Sequence, residues 1–253
     1  SRNYIRPRQM TGLILAGSHE ARSICDILNL AKIPAIASLA GVTKKPLNLS
    51  LKTHFGGFGG VDGFKNFIQN ERIEWVINAT HPFASTMRNT STKICKELKI
   101  NHLLINRPEW HPEKSDDWHY INDLKELNNI IPCETNVFVG TGRNTLNQFY
   151  NMSGRNLLCR VIDIPDTKFP FEFGKYLIGK PPFSVQEEVS LFKKHKIDWL
   201  VVKNSGGSGG FSKILAARNL NIPVVLLNRP KLPLTTNSAE NVEEAMKWLN
   251  NII

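Results

Sequence analysis

Two α/β halves, each a parallel sheet with helices on both faces, are what this 253-residue sequence predicts. Short apolar runs alternate with segments whose apolar residues recur at helical spacing. The pattern also occurs twice. Ile73-Glu74-Trp75-Val76-Ile77 recurs as Ile197-Asp198-Trp199-Leu200-Val201, and Leu104-Ile105-Asn106-Arg107-Pro108 as Leu226-Leu227-Asn228-Arg229-Pro230. At nearly the same offset, Leu13-Ile14-Leu15-Ala16-Gly17 falls on Val137-Phe138-Val139-Gly140-Thr141. One match is chance; three at one offset mark two related halves, divided here into residues 1–115 and 116–253.

In the first half, Gly12–Ala16 reads as a strand, and Ala21, Ile24, Cys25 and Leu28 then fall on one helical face. Pro34–Leu39 is a second strand, and alternating Leu47, Leu49 and Leu51 suggest a third. A glycine-rich loop over Gly56–Gly60 leads into a helix with Phe64, Phe67 and Ile68 on one side. Trp75–Ala79 is the next strand. A helix with Met87, Thr90, Ile94 and Leu98 follows, and His102–Ile105 closes the half. Glu109–Asp123, rich in Pro, Asp, His and Trp and lacking any period, reads as a linker. The second half repeats the plan, with strands near Val137–Gly140, Leu157–Ile162, Leu200–Lys203 and Pro223–Leu227. Its helices are expected near Asn144–Tyr150, Ser184–His195, Ser212–Leu220 and Ala239–Asn250. Two Rossmann-like lobes follow, with ligands at the carboxyl ends of the strands.

Composition narrows the function. Hydrophobic residues at 41% and charged residues at 21% suit a folded protein and argue against disorder. No run approaches the roughly 18 apolar residues of a membrane span, and Ser1–Arg8 lacks the apolar stretch of a secretory signal; a cytoplasmic protein off the membrane is expected. Lys plus Arg at 32 against Asp plus Glu at 22 leaves a net charge of +10, which favours an anionic partner. The basic residues are scattered, without an arginine-rich arm or zinc-finger spacing, so no nucleic-acid partner is expected. Cys25, Cys95, Cys133 and Cys159 form no CxxC pair and read as reduced thiols. His111, Asp116, Asp117 and His119 lack a recognisable ligand spacing, and no metal is expected.

The chemistry should sit where strands run into helices. Gly17 and Ser18 after the first strand offer close approach and a cap at a helix start, where a phosphate is favoured. No acidic residue occurs between Asp26 and Asp62, so the carboxylate that holds the ribose of NAD is missing. Ser38 and, beyond Gly41, Lys44 and Lys45 suit a 2′-phosphate instead, favouring NADP. Five glycines within Phe55–Gly63 let backbone approach a ligand closely. Thr80-His81 opens a helix after a strand. Its counterpart in the second half is Lys203-Asn204-Ser205-Gly206-Gly207, a lysine beside an anion-friendly turn.

In order along the chain, AGSHEAR (16–22), SLAG (38–41), GGFGG (56–60), INATHPFA (77–84), NRPEW (106–110), GTGR (140–143) and VKNSGG (202–207) resemble the precorrin-6A reductase family of cobalamin biosynthesis. The resemblance covers nearly the whole chain. It implies NADPH-dependent reduction of one double bond of the precorrin-6A macrocycle to give precorrin-6B, in a cleft between two Rossmann-like lobes. Family members usually have a GGT-like first loop, here Ala16-Gly17-Ser18, and commonly an arginine after SLAG, here Val42. Resemblance and local chemistry together assign Gly17, Ser18, Glu20, Ser38, Gly57, Gly59 and Thr80 to NADPH in the N-terminal lobe. Arg143, Ser205 and Gly206 go to the tetrapyrrole in the C-terminal lobe, and Lys203 and His81 to catalysis, with Lys203 as proton donor or carboxylate anchor. A monomer is expected. The alternatives are reduction of cobalt-precorrin-6A and a non-catalytic NADP sensor.

Overall fold

The computed structural model describes residues 9–41, 48–234 and 237–253, so Ser1–Arg8, Val42, Lys44, Lys45 and Leu47 lie outside the described residues. The chain forms two compact units, Ser1–Pro108 with Pro230–Ile253, and Glu109–Arg229. Each holds a six-stranded sheet, and every strand pairing is parallel.

In the first unit, β1 (Thr11–Ala16), β2 (Ala35–Leu39), β3 (Thr53–Phe55), β4 (Ile73–Asn78), β5 (Asn101–Ile105) and β12 (Ser238–Ala239) stand in the order β12-β5-β4-β1-β2-β3. The central strand β1 buries Leu13, Ile14 and Leu15 almost completely, as a strand covered on both faces must. On one face α1 (His19–Leu30) and α6 (Val242–Asn250) share a core in which Ala21, Ile24, Cys25 and Leu28 meet Ala245 and Leu249. On the other, α2 (Gly60–Asn70) and α3 (Ser85–Glu97) bring Phe64, Ile68, Ile94 and Cys95 onto Leu13, Leu15 and Val76. Gly12 is fixed by its neighbour strand. A Cβ there would lie 2.1 Å from the indole of Trp75, which is wholly buried.

The second unit has β6 (Trp118–Ile121), β7 (Asn136–Gly140), β8 (Asn156–Val161), β9 (Gly174–Ile178), β10 (Trp199–Lys203) and β11 (Val224–Leu227), in the order β6-β11-β10-β7-β8-β9. Helices α4 (Val185–Lys194) and α5 (Phe211–Asn219) cover one face through Phe192, Ile214 and Ala217. Two 3-10 helices, Leu124–Asn129 and Arg143–Phe149, cover the other through Leu124, Leu127, Leu146 and Phe149. The two sheets have one topology, in which β7 to β11 repeat β1 to β5. The sixth strand is exchanged. β6, next along the chain after β5, lies beside β11, whereas β12, next after β11, lies beside β5.

That exchange moves the division expected from sequence. Pro230–Ile253 belongs with the first unit, because β12 pairs with β5 and α6 packs on α1. The expected linker contains β6. The third strand is Thr53–Phe55 rather than the preceding leucines; Leu49 and Leu51 are apolar because they pack from an irregular segment onto the α1/α6 core. The helix expected near Asn144–Tyr150 is 3-10. No helix among the described residues is long and apolar enough to cross a membrane.

Candidate functional sites at the carboxyl edges

A parallel sheet gathers its strand-to-helix turns at one edge, and a ligand crevice forms where neighbouring strands send their connections to opposite faces. In the first sheet that point lies between β1 and β4, in the second between β7 and β10.

After β1 the chain turns at Gly17 with φ 155°, and a Cβ there would sit 3.5 Å from Thr80 Cα and 3.6 Å from His81 N. The turns after β1 and β4 thus lie close enough for ordinary contact, and it is the φ of Gly17, which side-chain-bearing residues rarely adopt, that favours glycine there. Ser18 caps α1, its Oγ accepting the Ala21 N–H at 3.3 Å and donating to Ala79 O at 2.6 Å. Glu20 receives Arg107 Nη1 at 3.1 Å. Burial pulls the Glu20 carboxyl upward, but its backbone N–H and the Arg107 charge outweigh it and hold the group below the ordinary carboxylate range.

A buried polar chain supports the β4 turn. Asn78 Oδ1 accepts Thr80 N–H at 3.1 Å and Thr80 Oγ1 at 2.7 Å. Asn78 Nδ2 donates to Ser91 Oγ at 2.9 Å, and Ser91 Oγ lies 2.9 Å from His102 Nε2. Burial pushes His102 down to about 4, so the ring is neutral. The buried Arg88 donates from Nη2 to Ile105 O at 2.9 Å and to Thr80 O at 3.4 Å, stapling the ends of β4 and β5. His81 Nδ1 accepts the Phe83 N–H at 3.2 Å, which leaves the proton of a neutral ring on Nε2.

Ser38 is buried in β2, in register with Leu15 and His54. Gly57 and Gly59 lie in the turn between β3 and α2 and border open space, Gly59 at φ 82°. Phe58 anchors that turn, stacking on His54 at 5.0 Å and packing edge-on against Phe64 and Phe67. All the residues expected to hold the cofactor therefore belong to the first unit. Gly17, Ser18, Glu20, Thr80 and His81 gather at the β1/β4 point; Ser38, Gly57 and Gly59 belong to the β2 and β3 side. To a dinucleotide phosphate this edge offers the start of the twelve-residue α1, with its glycine turn.

In the second unit, Thr141 and Thr145 hydroxyls lie 2.7 Å apart beneath the exposed Arg143. Asn204 Oδ1 accepts the Trp110 N–H at 2.9 Å, and Trp110 Nε1 donates to Gly207 O at 2.8 Å. Arg229 donates from Nε to Asn204 O at 2.8 Å and from Nη2 to Ser205 O at 2.9 Å. Ser205 and Gly206 are thus buried in a braced turn, and Gly206 and Gly207 take φ 65° and 73°. Lys203 is half-buried at the end of β10, and burial lowers its pKa. Arg143 belongs to the β7 side of this point, Lys203, Ser205 and Gly206 to the β10 side.

Between β5 and β6, Asp116 is held by Arg218 at 2.9 Å, and Asp117 Oδ1 lies 2.9 Å from His119 Nε2. Among the described residues no group of three or more His, Cys, Asp or Glu is placed to hold a metal ion. The four cysteines are free; Cys25, Cys95 and Cys159 are buried and Cys133 is exposed. Sequence reasoning missed Arg88, Arg107 and Arg229. Two of them carried a signal, because Asn-Arg-Pro ends both halves.

Residues 12–250 match the family model of the precorrin-6x reductase CbiJ/CobK. The chain is 34% identical over 242 residues to the precorrin-6A reductase of Rhodococcus erythropolis, covering 95% of this chain and 97% of that one. With the precorrin-6A reductase of Rhodobacter capsulatus it shares 33% over 238 residues, 94% of each. The cobalt-precorrin-6A reductase of Salmonella typhimurium is 23% identical over 94% of this chain and 96% of its own. A solved structure, CobK precorrin-6A reductase, superposes with a TM-score of 0.91 at 32% identity, over 96% of this chain and 97% of that one. This chain belongs to the precorrin-6x reductase CbiJ/CobK family.

Proposed function

We propose that the chain reduces one double bond of precorrin-6A with NADPH, giving precorrin-6B. The observation that carries this is full-length similarity to precorrin-6A reductases at 31–34% identity, against 23–26% for cobalt-precorrin-6A reductases. Membership makes the chain an oxidoreductase acting on a ring double bond.

Bound NADPH supplies a hydride for one carbon of the double bond, and a proton completes the adjacent carbon. The first unit is assigned to the cofactor. The turn at Gly17 and the start of α1 receive a phosphate, with Ser18 holding that turn to β4, and Ser38, Gly57 and Gly59 flank the adenosine side. Thr80 fixes the β4 turn, and His81 presents Nε2–H as a donor toward the nicotinamide end. Glu20 acts through Arg107, fixing the first turn of α1 to the chain after β5. The second unit is assigned to the tetrapyrrole. Arg143, Ser205 and Gly206 contact it, and Lys203, its proton loosened by burial, donates the proton or anchors a carboxylate. One copy of the chain carries both assigned edges, consistent with action as a monomer.

Loss of reduced-nicotinamide absorbance with precorrin-6A, with its cobalt complex, and with NADH in place of NADPH tests the proposal. Turnover with NADPH and precorrin-6A is expected. Faster reduction of the cobalt complex reassigns the substrate, equal rates with NADH overturn the cofactor choice, and NADPH binding without turnover favours a sensor.

A further inference from the structure

The amino edge of the second sheet, where β7, β8 and β9 begin at Asn136, Asn156 and Gly174 and α4 gives way to His195, holds a cavity of about 350 Å³. It lies at the opposite end of this sheet from Arg143 and the Ser205–Gly206 turn, and the proposed reduction makes no use of it. Ligand sites run from about 300 to 1,000 Å³, so this one suits a molecule far smaller than a dinucleotide or a tetrapyrrole.

The lining combines apolar surface with unused polar groups. Leu158 and Ile197, both buried, and Phe173, stacked on Phe171 at 4.8 Å, supply fixed apolar wall. Asn136 is engaged: its Nδ2 donates to Lys196 O at 3.0 Å, and its Oδ1 accepts Asn156 Nδ2 at 3.0 Å. That second bond orients the Asn156 amide, whose Oδ1 has no donor among the described residues. Glu172, Lys175 and His195 also line the cavity, and among the described residues their side chains make neither a hydrogen bond nor an ion pair, even with one another. Burial and the charges of Lys175 and Lys194 lower the His195 pKa, so at neutral pH the ring is uncharged and keeps one N–H donor.

The cavity therefore offers one cation, one anion, a neutral donor and an amide acceptor beside an apolar wall. A simple anion meets Glu172 as a like charge, and a simple cation meets Lys175. A molecule carrying both charges on one small head, with an apolar body, satisfies the whole lining. We infer that the amino edge of the second sheet is a separate binding site for a free α-amino acid with an apolar side chain. Lys175 and His195 receive its carboxylate, Glu172 and Asn156 Oδ1 its ammonium, and Leu158, Phe173 and Ile197 its side chain. The inference does not rest on the reductase reading.

The test titrates the whole chain calorimetrically with L-leucine and L-phenylalanine, and with two analogues of leucine that keep one charge each, 4-methylpentanoate and isopentylamine. Saturable binding of at least one amino acid is expected, with each analogue at least about tenfold weaker, the scale of one lost hydrogen-bonded charge. Lys175→Glu and Glu172→Lys should each weaken amino-acid binding by a similar factor, and the double exchange should restore most of it. Both positions are exposed, so the thermal midpoint and NADPH affinity should stay at wild-type values. No saturable binding of either amino acid up to about 10 mM, analogues that bind as tightly as leucine, or charge reversals that leave affinity unchanged would each overturn the inference. The analogues keep it open to refutation even where a substitution disturbs the fold.

Discussion

Ser18 Oγ donates to Ala79 O at 2.6 Å, so the turn after β1 is tied to the end of β4 by the same hydroxyl that caps α1. Ser18→Ala removes both bonds. It should cost about 1 kcal/mol in urea unfolding, the usual worth of a helix cap, and raise the NADPH dissociation constant several-fold in a fluorescence titration. An unchanged NADPH affinity would reduce Ser18 to a structural cap.

His102 makes stability depend on acid. Its pKa falls to about 4 in the fold because burial disfavours the imidazolium, while an unfolded histidine titrates near ~6.5. The unfolded chain therefore binds the extra proton between those values. Stability is intact above the upper one and lost as pH falls through the window, by up to about 3 kcal/mol. Urea midpoints from pH 7 to 4, compared with His102→Gln, check this; the variant should show a flatter profile.

Gly12 and Trp75 should behave as a coupled pair. Gly12→Ala places a methyl 2.1 Å from the indole and should cost about 3 kcal/mol or more. Trp75→Leu opens space and is destabilising alone, but the double variant should be more stable than the sum of the two losses. Strict additivity in denaturant unfolding would show that the strand shifts instead.

Lys203 should separate chemistry from cofactor binding. Lys203→Ala is expected to lower kcat at least about a hundredfold, the ordinary scale of general-acid catalysis, with the NADPH dissociation constant within about twofold of wild type. Because burial lowers its pKa, the alkaline limb of the wild-type kcat profile should fall below the ordinary lysine range and vanish in the variant. Unchanged turnover would remove Lys203 from the proposed mechanism.

Long apolar runs made most of the fold readable. β1, β4, β7 and β10 are buried centrally, so hydrophobicity alone marks them, and the helical spacing of Ala21, Ile24, Cys25 and Leu28 is the buried face of α1. Strands without such runs were lost. β12 is two residues long, and β6 is Trp-His-Tyr-Ile beside prolines and acids, held in the sheet by β11 rather than by its own pattern. Leu49 and Leu51 misled because alternation records burial, and here burial comes from a helix pair and not a sheet. At the sites, turn chemistry drew notice to Gly17, Ser18 and the Ser205–Gly206 turn. Arg88 was invisible because its meaning lies in partners distant in sequence, the carbonyls of Thr80 and Ile105.

The exchange of sixth strands sets an order on synthesis. The second sheet has all its strands once Leu227 has left the ribosome, since β6 precedes the other five. The first sheet, translated earlier, keeps a bare edge along β5 until Ala239 emerges, and α1 waits for α6 to cover its face. A nascent chain cut short after β11 carries one finished sheet and one open one, a form that quality control can recognise. The half that is made first is finished last.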